Sequence, residues 1–155
     1  SWIEWRASHV FKYPDTRDIK SIKVEFLKDT TNSYKVENNQ SVVSLFNGNN
    51  HIVEDFDSIQ VKHYFSHYKK IHYNRIVQKK QEYLDSVFSS PVFYKISLED
   101  KYEKQINVEL WKIKSFDDWD PEYGYIRVNG NNELLRVQYY SWDILFKPLS
   151  YFLKK

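Results

Sequence analysis

This chain of 155 residues has no cysteine, no methionine, one alanine and three glycines. The missing thiols exclude disulfide frameworks, thiolate zinc sites, cysteine nucleophiles and cysteine-ligated iron–sulfur clusters, leaving only histidine and carboxylate as metal ligands. Gly48, Gly124 and Gly130 are too isolated to build a phosphate-cradling loop, and neither a G-x-S-x-G elbow nor a dinucleotide fingerprint occurs. A single alanine argues against a helical bundle. Apolar runs are short, as at Ile144-Leu145-Phe146, against the ~20 residues that a membrane-spanning helix requires. An excess of one charge is lacking too. The 23 basic and 21 acidic residues leave a net charge of +2, too balanced for the domain as a whole to adhere to nucleic acid or a membrane surface.

What the chain has instead is rings. Aromatic residues make up 18% of it, within a hydrophobic share of 41%. A single domain over 1–155 is expected, long enough to bury roughly 68–70% of its unfolded surface. Alternation with period two, the mark of a strand with one buried face, recurs along it. Ile3, Trp5, Ala7, His9 and Phe11 share one face of a first strand, and Ile22, Val24 and Phe26 mark a second. Ile59, Val61, His63 and Phe65 mark another, as do Ile106, Val108 and Leu110. Asn129-Gly130-Asn131-Asn132 predicts a hairpin joining Tyr125 to Val128 with Glu133 to Tyr140, because Asn-Gly accepts the positive φ angles of a type I′ turn. The same tetrapeptide at Asn47 to Asn50 raises an internal repeat, though its flanks do not match. Helical spacing of Ile76, Val77, Tyr83, Leu84, Val87 and Phe88 predicts one amphipathic helix, stopped by Ser90-Pro91. Pro148 opens a short C-terminal helix to Leu153. The fold class is therefore α+β, mainly antiparallel β: a single sheet or sandwich with one amphipathic helix after the middle. Trp5, Phe26, Phe65 and Phe88 are expected in the core, and the exposure of Tyr68, Trp119 and Tyr123 is left for the structure to decide.

Charge is unevenly spread. Residues 58–81 hold no acid, while Lys62, Lys69, Lys70, Arg75, Lys79 and Lys80 alternate with Tyr64, Phe65, Tyr68 and Tyr73. Basic residues interleaved with rings suit single-stranded nucleic acid or another polyanion. A lysine-rich outer strand face that discourages edge pairing accounts for the same residues. His63 and His67, placed in a strand, stand about 13 Å apart at ~3.3 Å per residue and share no metal. Asp117, Asp118, Asp120 and Glu122 crowd carboxylates together, but Pro121 and the lack of a loop glycine and a distal glutamate depart from a calcium loop. Trp119 and Tyr123 among these acids give the aromatic-plus-charge composition of a protein-contact hot spot. Asp117, Asp118, Trp119, Asp120, Glu122 and Tyr123 are thus the candidate partner-binding residues. No catalytic residue, metal or cofactor is assigned, and the expected function is non-enzymatic binding.

Glu4-Trp5-Arg6-Ala7-Ser8, followed by Tyr13-Pro14, resembles the opening of a bacterial envelope lipoprotein family of uncharacterised function, in which a Trp-x-Ala strand precedes a Tyr-Pro turn. In that family an aromatic strand, an amphipathic helix and a late hairpin follow, which 59–66, 76–88 and 125–142 could supply in order. The family's late hairpin is rich in Pro and Gly, whereas this chain has Asn129-Gly130-Asn131-Asn132. The resemblance implies a periplasmic or envelope domain held by a lipidated cysteine upstream of Ser1, and the complete lack of methionine also leads us to expect a segment before Ser1. It further implies an immunity-type role: stoichiometric neutralisation of a toxin or secreted effector encoded by an adjacent gene, without nucleic acid as a partner. The acidic run 117–123 against a basic toxin cleft is the first expected contact surface, and the basic stretch around Lys69, Lys70 and Arg75 the second.

Overall fold

A computed structural model describes residues 8–155. Ile3, Trp5, Ala7 and the Trp-x-Ala motif lie outside the described residues. In chain order the strands are β1 (His9–Phe11), β2 (Ile19–Phe26), β3 (Tyr34–Asn39), β4 (Val42–Asn47) and β5 (Ile52–Val53). Helix α1 (Ser58–Ser66), the short strands β6 (Ile71–His72) and β7 (Arg75–Ile76), and helix α2 (Gln81–Phe88) follow. The second half holds β8 (Tyr94–Asp100), β9 (Gln105–Ser115), β10 (Asp118–Val128), β11 (Leu135–Gln138) and the short helix α3 (Tyr139–Trp142), then single 3-10 turns at Asp143–Leu145 and Leu149–Phe152. Nine strands form one antiparallel sheet in the order β5-β4-β3-β2-β8-β9-β10-β11-β7, and β1 pairs with β6 in a separate ribbon. The fold is α+β and dominated by this sheet, as the composition led us to expect.

Register explains why the sheet has one greasy face. Val53, Leu45, Val36, Ile22, Leu98 and Ile106 stand directly opposite one another across successive strands. So do Phe26, Tyr94, Leu110, Ile126, Leu135 and Ile76. Residues in register share a face, so period-two alternation in each strand becomes continuous apolar rows across the sheet. Over this inner face lie α1, β1, α3 and the C-terminal turns. The outer face carries cross-strand charges such as Glu25, Lys95, Glu109 and Arg127, with Arg127 Nε donating to Glu109 Oε1 at 2.9 Å. Its far half is covered by α2, whose Phe88 meets Trp111 at 5.8 Å between ring centroids.

Several expectations are corrected. Ile59 to Phe65 is a helix, not a strand: the Asp57 carboxylate accepts the N–H groups of Ile59 and Gln60 and so caps α1. Val61, Tyr64, Phe65 and Tyr68 then face the core at helical spacing, while Ile59 is 77% exposed. The amphipathic helix begins at Gln81 rather than Ile76, because Ile76 pairs with Leu135 and the Val77 N–H donates to Leu134, adding an edge strand to the sheet. In β1 the register slips between His9 and Phe11, which leaves His9 exposed and buries both Val10 and Phe11. The C-terminal helix is a single 3-10 turn after Pro148.

The Asn-Gly turn forms as expected, with Asn129 and Gly130 at φ 52° and 66° and the Asn131 N–H donating to the Val128 carbonyl at 3.0 Å, but the strand after it is Leu135–Gln138 rather than Glu133 to Tyr140, because Tyr139 opens α3. The second Asn-Gly-Asn-Asn is built differently. There Asn47 Oδ1 accepts from Asn49 and His51, and the positive φ falls on Asn50, so the two segments are not copies of one unit.

Gly124 admits the ring of Tyr139: a Cβ there would lie 2.8 Å from the Tyr139 hydroxyl oxygen. Among the described residues that hydroxyl is buried without a hydrogen-bond partner, and burial first, then Tyr94 and Asp143, push its pKa up to about 12. Gly124→Ala is expected to cost ~1–3 kcal/mol through overpacking. Tyr139→Phe, which deletes an unpaired buried hydroxyl, should be neutral or raise Tm. The double variant should recover part of the Gly124→Ala loss, and thermal unfolding of the four proteins checks this. An unchanged Tm for Gly124→Ala would rule out the close approach.

Candidate partner-binding site

β9 and β10 are the longest strands, and their hairpin projects beyond the end of β8. Ser115 pairs with Asp118, so the turn consists of Phe116 and Asp117 alone. Phe116 has φ 57° and is 98% exposed. A bulky residue with positive φ is uncommon, since the left-handed region crowds its Cβ against the backbone and favours glycine. The tip therefore holds a large apolar ring out in solvent on a strained backbone.

The six candidate residues divide between two places. Asp117, Asp118 and Trp119 form the tip and its first rung. Trp119 stands opposite Lys114, whose Nζ lies 5.1 Å from the indole centroid, and meets the Phe93 ring edge-on at 5.2 Å. Asp120, Glu122 and Tyr123 belong to a bulge, where the ladder jumps from Trp119–Lys114 to Gly124–Lys112. Asp120 Oδ1 accepts from the N–H groups of Glu122 and Tyr123 at 2.8 and 2.9 Å and holds that bulge together. Tyr123 pairs with Gln138 in the ladder and carries the Arg136 guanidinium 4.0 Å above its ring. Trp119 and Tyr123 thus fall on opposite faces of the sheet, and the acidic run is a hairpin tip joined to a bulged strand rather than one loop.

Trp119 closes a groove of roughly 450 Å³ that sequence reasoning missed. Tyr83 and Val87 of α2, Pro91 and Phe93 before β8, Trp111 and Ile113 of β9, and Tyr125 of β10 supply its apolar walls. Lys28, Lys112 and Lys114 also line it, and among the described residues no acidic side chain does. Lys28 Nζ and Lys112 Nζ lie 5.0 and 4.8 Å from the Phe93 centroid, so this ring sits between two cations. Among the described residues none of these three lysines is in an ion pair, unlike Lys20, Lys23, Lys35, Lys101 and Lys154. The available signal was Lys112 and Lys114 at period two beyond the apolar run of β9. Nothing local, however, tells that Lys28 and Phe93 meet them from other strands.

Comparison with protein-family models, with curated proteins and with solved structures finds no match to this chain. The site has to be read from its own chemistry.

The basic stretch is reorganised by the helix. Tyr64, Phe65, Tyr68 and Tyr73 are buried, which removes the rings that base stacking would need. The Tyr64 hydroxyl donates to the Leu145 carbonyl at 2.7 Å and so must accept from Tyr68 at 2.6 Å, and burial keeps both phenols neutral well above their ordinary pKa. Tyr13 likewise donates to the buried Asp100, whose other oxygen accepts from the Tyr102 and Lys104 N–H groups. These are anchoring contacts of the interior.

His63 and His67, one helical turn apart, meet with ring centroids 4.8 Å apart, not the separation a strand would impose. Among the described residues no group of three or more His, Asp or Glu side chains is placed to hold a metal ion. Burial first, then the fields of His63 and Lys147, lower the pKa of His67. The unfolded chain consequently binds the proton first as pH falls, so the stability contributed by neutral His67 is complete above about pH 6.5 and lost below it. Tm should fall between about pH 7 and about pH 5, and His67→Gln should flatten that part of the profile in scanning calorimetry. Parallel profiles for the two proteins would remove His67 as the cause.

Proposed function

We propose that the chain is a non-enzymatic binding protein that engages a protein partner through the β9–β10 hairpin, and that it is of immunity type, neutralising a toxin or secreted effector by stoichiometric occlusion. One observation carries the reading: the 98% exposed Phe116 ring, held at positive φ at the hairpin tip that leads through Asp117 and Asp118 to Trp119. Strain and solvent exposure at one large ring are both costs to the free molecule, and clustered aromatic anchors are what desolvates in a tight interface. Stoichiometric occlusion needs complementary shape and charge rather than a reacting group, and the acids at the tip with lysines behind it supply mixed polar flanks for such anchors. A partner encoded by an adjacent gene, and an envelope location with a lipid anchor upstream of Ser1, belong to the same reading. A polyanion site over 62–80 is the weaker alternative, because its rings face inward.

Co-expression with the product of the adjacent gene tests this directly, read as co-purification and as rescue of growth. Phe116→Gly should stabilise the free protein by up to ~1 kcal/mol, since glycine removes a left-handed penalty of ~1–2 kcal/mol and adds only ~0.5–1 kcal/mol of backbone entropy cost. The same variant should weaken the partner complex by about tenfold or more, as loss of an aromatic anchor does. A variant that gains stability and keeps full affinity would take the tip out of the interface, and a neighbour product that is neither bound nor neutralised would count against the immunity reading.

A further inference from the structure

β8 ends before β9 does. Their ladder stops at Tyr94–Leu110, where the Phe93 N–H donates to the Leu110 carbonyl at 2.9 Å, while β9 runs on to Ser115. In an antiparallel strand the backbone groups of alternate residues point to the same side. Those of Lys112 and Lys114 therefore point, as Leu110's do, away from β10 and into the place where β8 would have continued. Among the described residues no loop or side-chain group hydrogen-bonds to the backbone of either lysine. The chain leaves this edge at Pro91, which has no N–H to offer, and turns toward α2. A stretch of open sheet edge thus lies in the middle of the sheet order, inside the groove.

The groove straddles that edge. On the inner-face side stand Phe93, Trp119 and the cations of Lys28, Lys112 and Lys114; on the other side stand Trp111, Ile113, Val87 and Tyr83. Exposed strand edges recruit other strands, and lysines on such an edge repel a like-charged one. Identical β9 edges of two copies would bring Lys112 and Lys114 against lysines, and a basic segment meets the same repulsion. An acidic strand is instead attracted, since opposite charges directly across a ladder stabilise the pairing. Burial raises the carboxyl pKa of Asp143 against the opposing fields of Lys147 and Lys112, and Asp143 forms no ion pair with Lys112 among the described residues.

We propose that the free edge of β9 at Lys112 and Lys114 accepts an extended segment of a partner protein in which Asp or Glu alternates with apolar residues, adding as an antiparallel strand in the line of β8. Its acids face Lys28, Lys112 and Lys114, and its apolar side chains fill the groove against Trp111 and Ile113. Main-chain hydrogen bonds supply affinity, and alternation of charge and apolar surface supplies selectivity. This deepens the binding reading above and rests on it: the hairpin presents its anchors, and the edge behind it receives a strand of the same partner.

The test is fluorescence anisotropy of the whole protein with a labelled synthetic peptide alternating Glu and Val around one central Phe. Binding is expected at low salt and should weaken as salt rises. Replacing each Glu by Lys should abolish it, and single-stranded oligonucleotide should not compete. Because the residues opposite Lys112 and Lys114 exchange hydrogen bonds with them, N-methylating the Glu positions of the peptide should abolish binding, while N-methylating the Val positions should leave it within about threefold. Charge reversal by Lys112→Glu with Lys114→Glu should weaken binding by about tenfold or more, whereas Lys69→Glu with Lys70→Glu should not. The methylated series uses the unaltered protein, so it decides the matter even where the double reversal fails to fold. Equal effects of methylation at both sets, equal binding of the lysine peptide, competition by oligonucleotide, or self-association through this edge would each overturn the proposal. A partner bound through Phe116 with no affinity for the acidic peptide overturns this inference alone. Peptide binding together with a neighbour product that is neither bound nor neutralised would overturn the immunity reading alone.

Discussion

Ring-to-ring contact is what ties the elements above the sheet to the strands beneath. Phe26 meets Tyr94 at 5.3 Å, Tyr94 stacks on Phe146 at 4.5 Å, and Phe146 leads through Trp142 to Phe11. Phe11 meets Tyr68 at 4.9 Å, and Tyr68 leads through Tyr64 to Phe152 and Tyr34. One continuous series therefore runs from β2 and β8 through the C-terminal turns, α3, β1 and α1 back to β3. Each such pair adds roughly 0.5–1.5 kcal/mol beyond the area it buries. A chain with one alanine and no methionine has few small or pliable residues to fill gaps, so its interior is shaped by large planar groups and by the hydroxyls that they bring along. That is why Tyr64, Tyr68 and Tyr13 are paired inside with Leu145 and Asp100.

With one face of the sheet roofed in this way, the other is free to differ from end to end. Over β9 and β10 it is covered by α2, and over β2 and β3 it carries ion pairs that run along each strand, Lys23 with Glu25 and Lys35 with Glu37. The candidate site lies where β8 stops and β9 continues: rigid strands hold Lys112, Lys114, Trp111 and Trp119, and only the turn at Phe116 is strained. A site carried by long central strands is held more firmly than one on a loop. The acids of the hairpin and the lysines behind it also separate into different places, giving the surface a polarity that net charge conceals.

Legibility followed the range of the interactions involved. β2, β9 and the Asn129-Gly130 turn were readable because alternation and turn chemistry act within a few residues. α1 carries two patterns at once: Ile59, Val61, His63 and Phe65 satisfy a strand pattern while Val61, Tyr64, Phe65 and Tyr68 satisfy a helical one, and Asp57 as cap favours the second. The β3–β4 hairpin turns on Gln40 and Ser41, both at positive φ and neither glycine, so no turn signature announced it. Within the site, Trp119 and its flanking acids were visible. Lys28, Phe93 and Tyr83 were not, because they come from separate parts of the chain.

By itself the sequence determined that these 155 residues offer no thiol chemistry, their sheet-dominated class, and the inward faces of β2 and β9, because each depends on composition and on local periodicity. Tertiary structure decided which of the rings stay outside, where charge collects, and where a strand is left with an unpaired edge. Those depend on how far each strand runs relative to its neighbour, which only the paired chain fixes: the β8–β9 ladder stops at Tyr94–Leu110 while β9 runs on to Ser115.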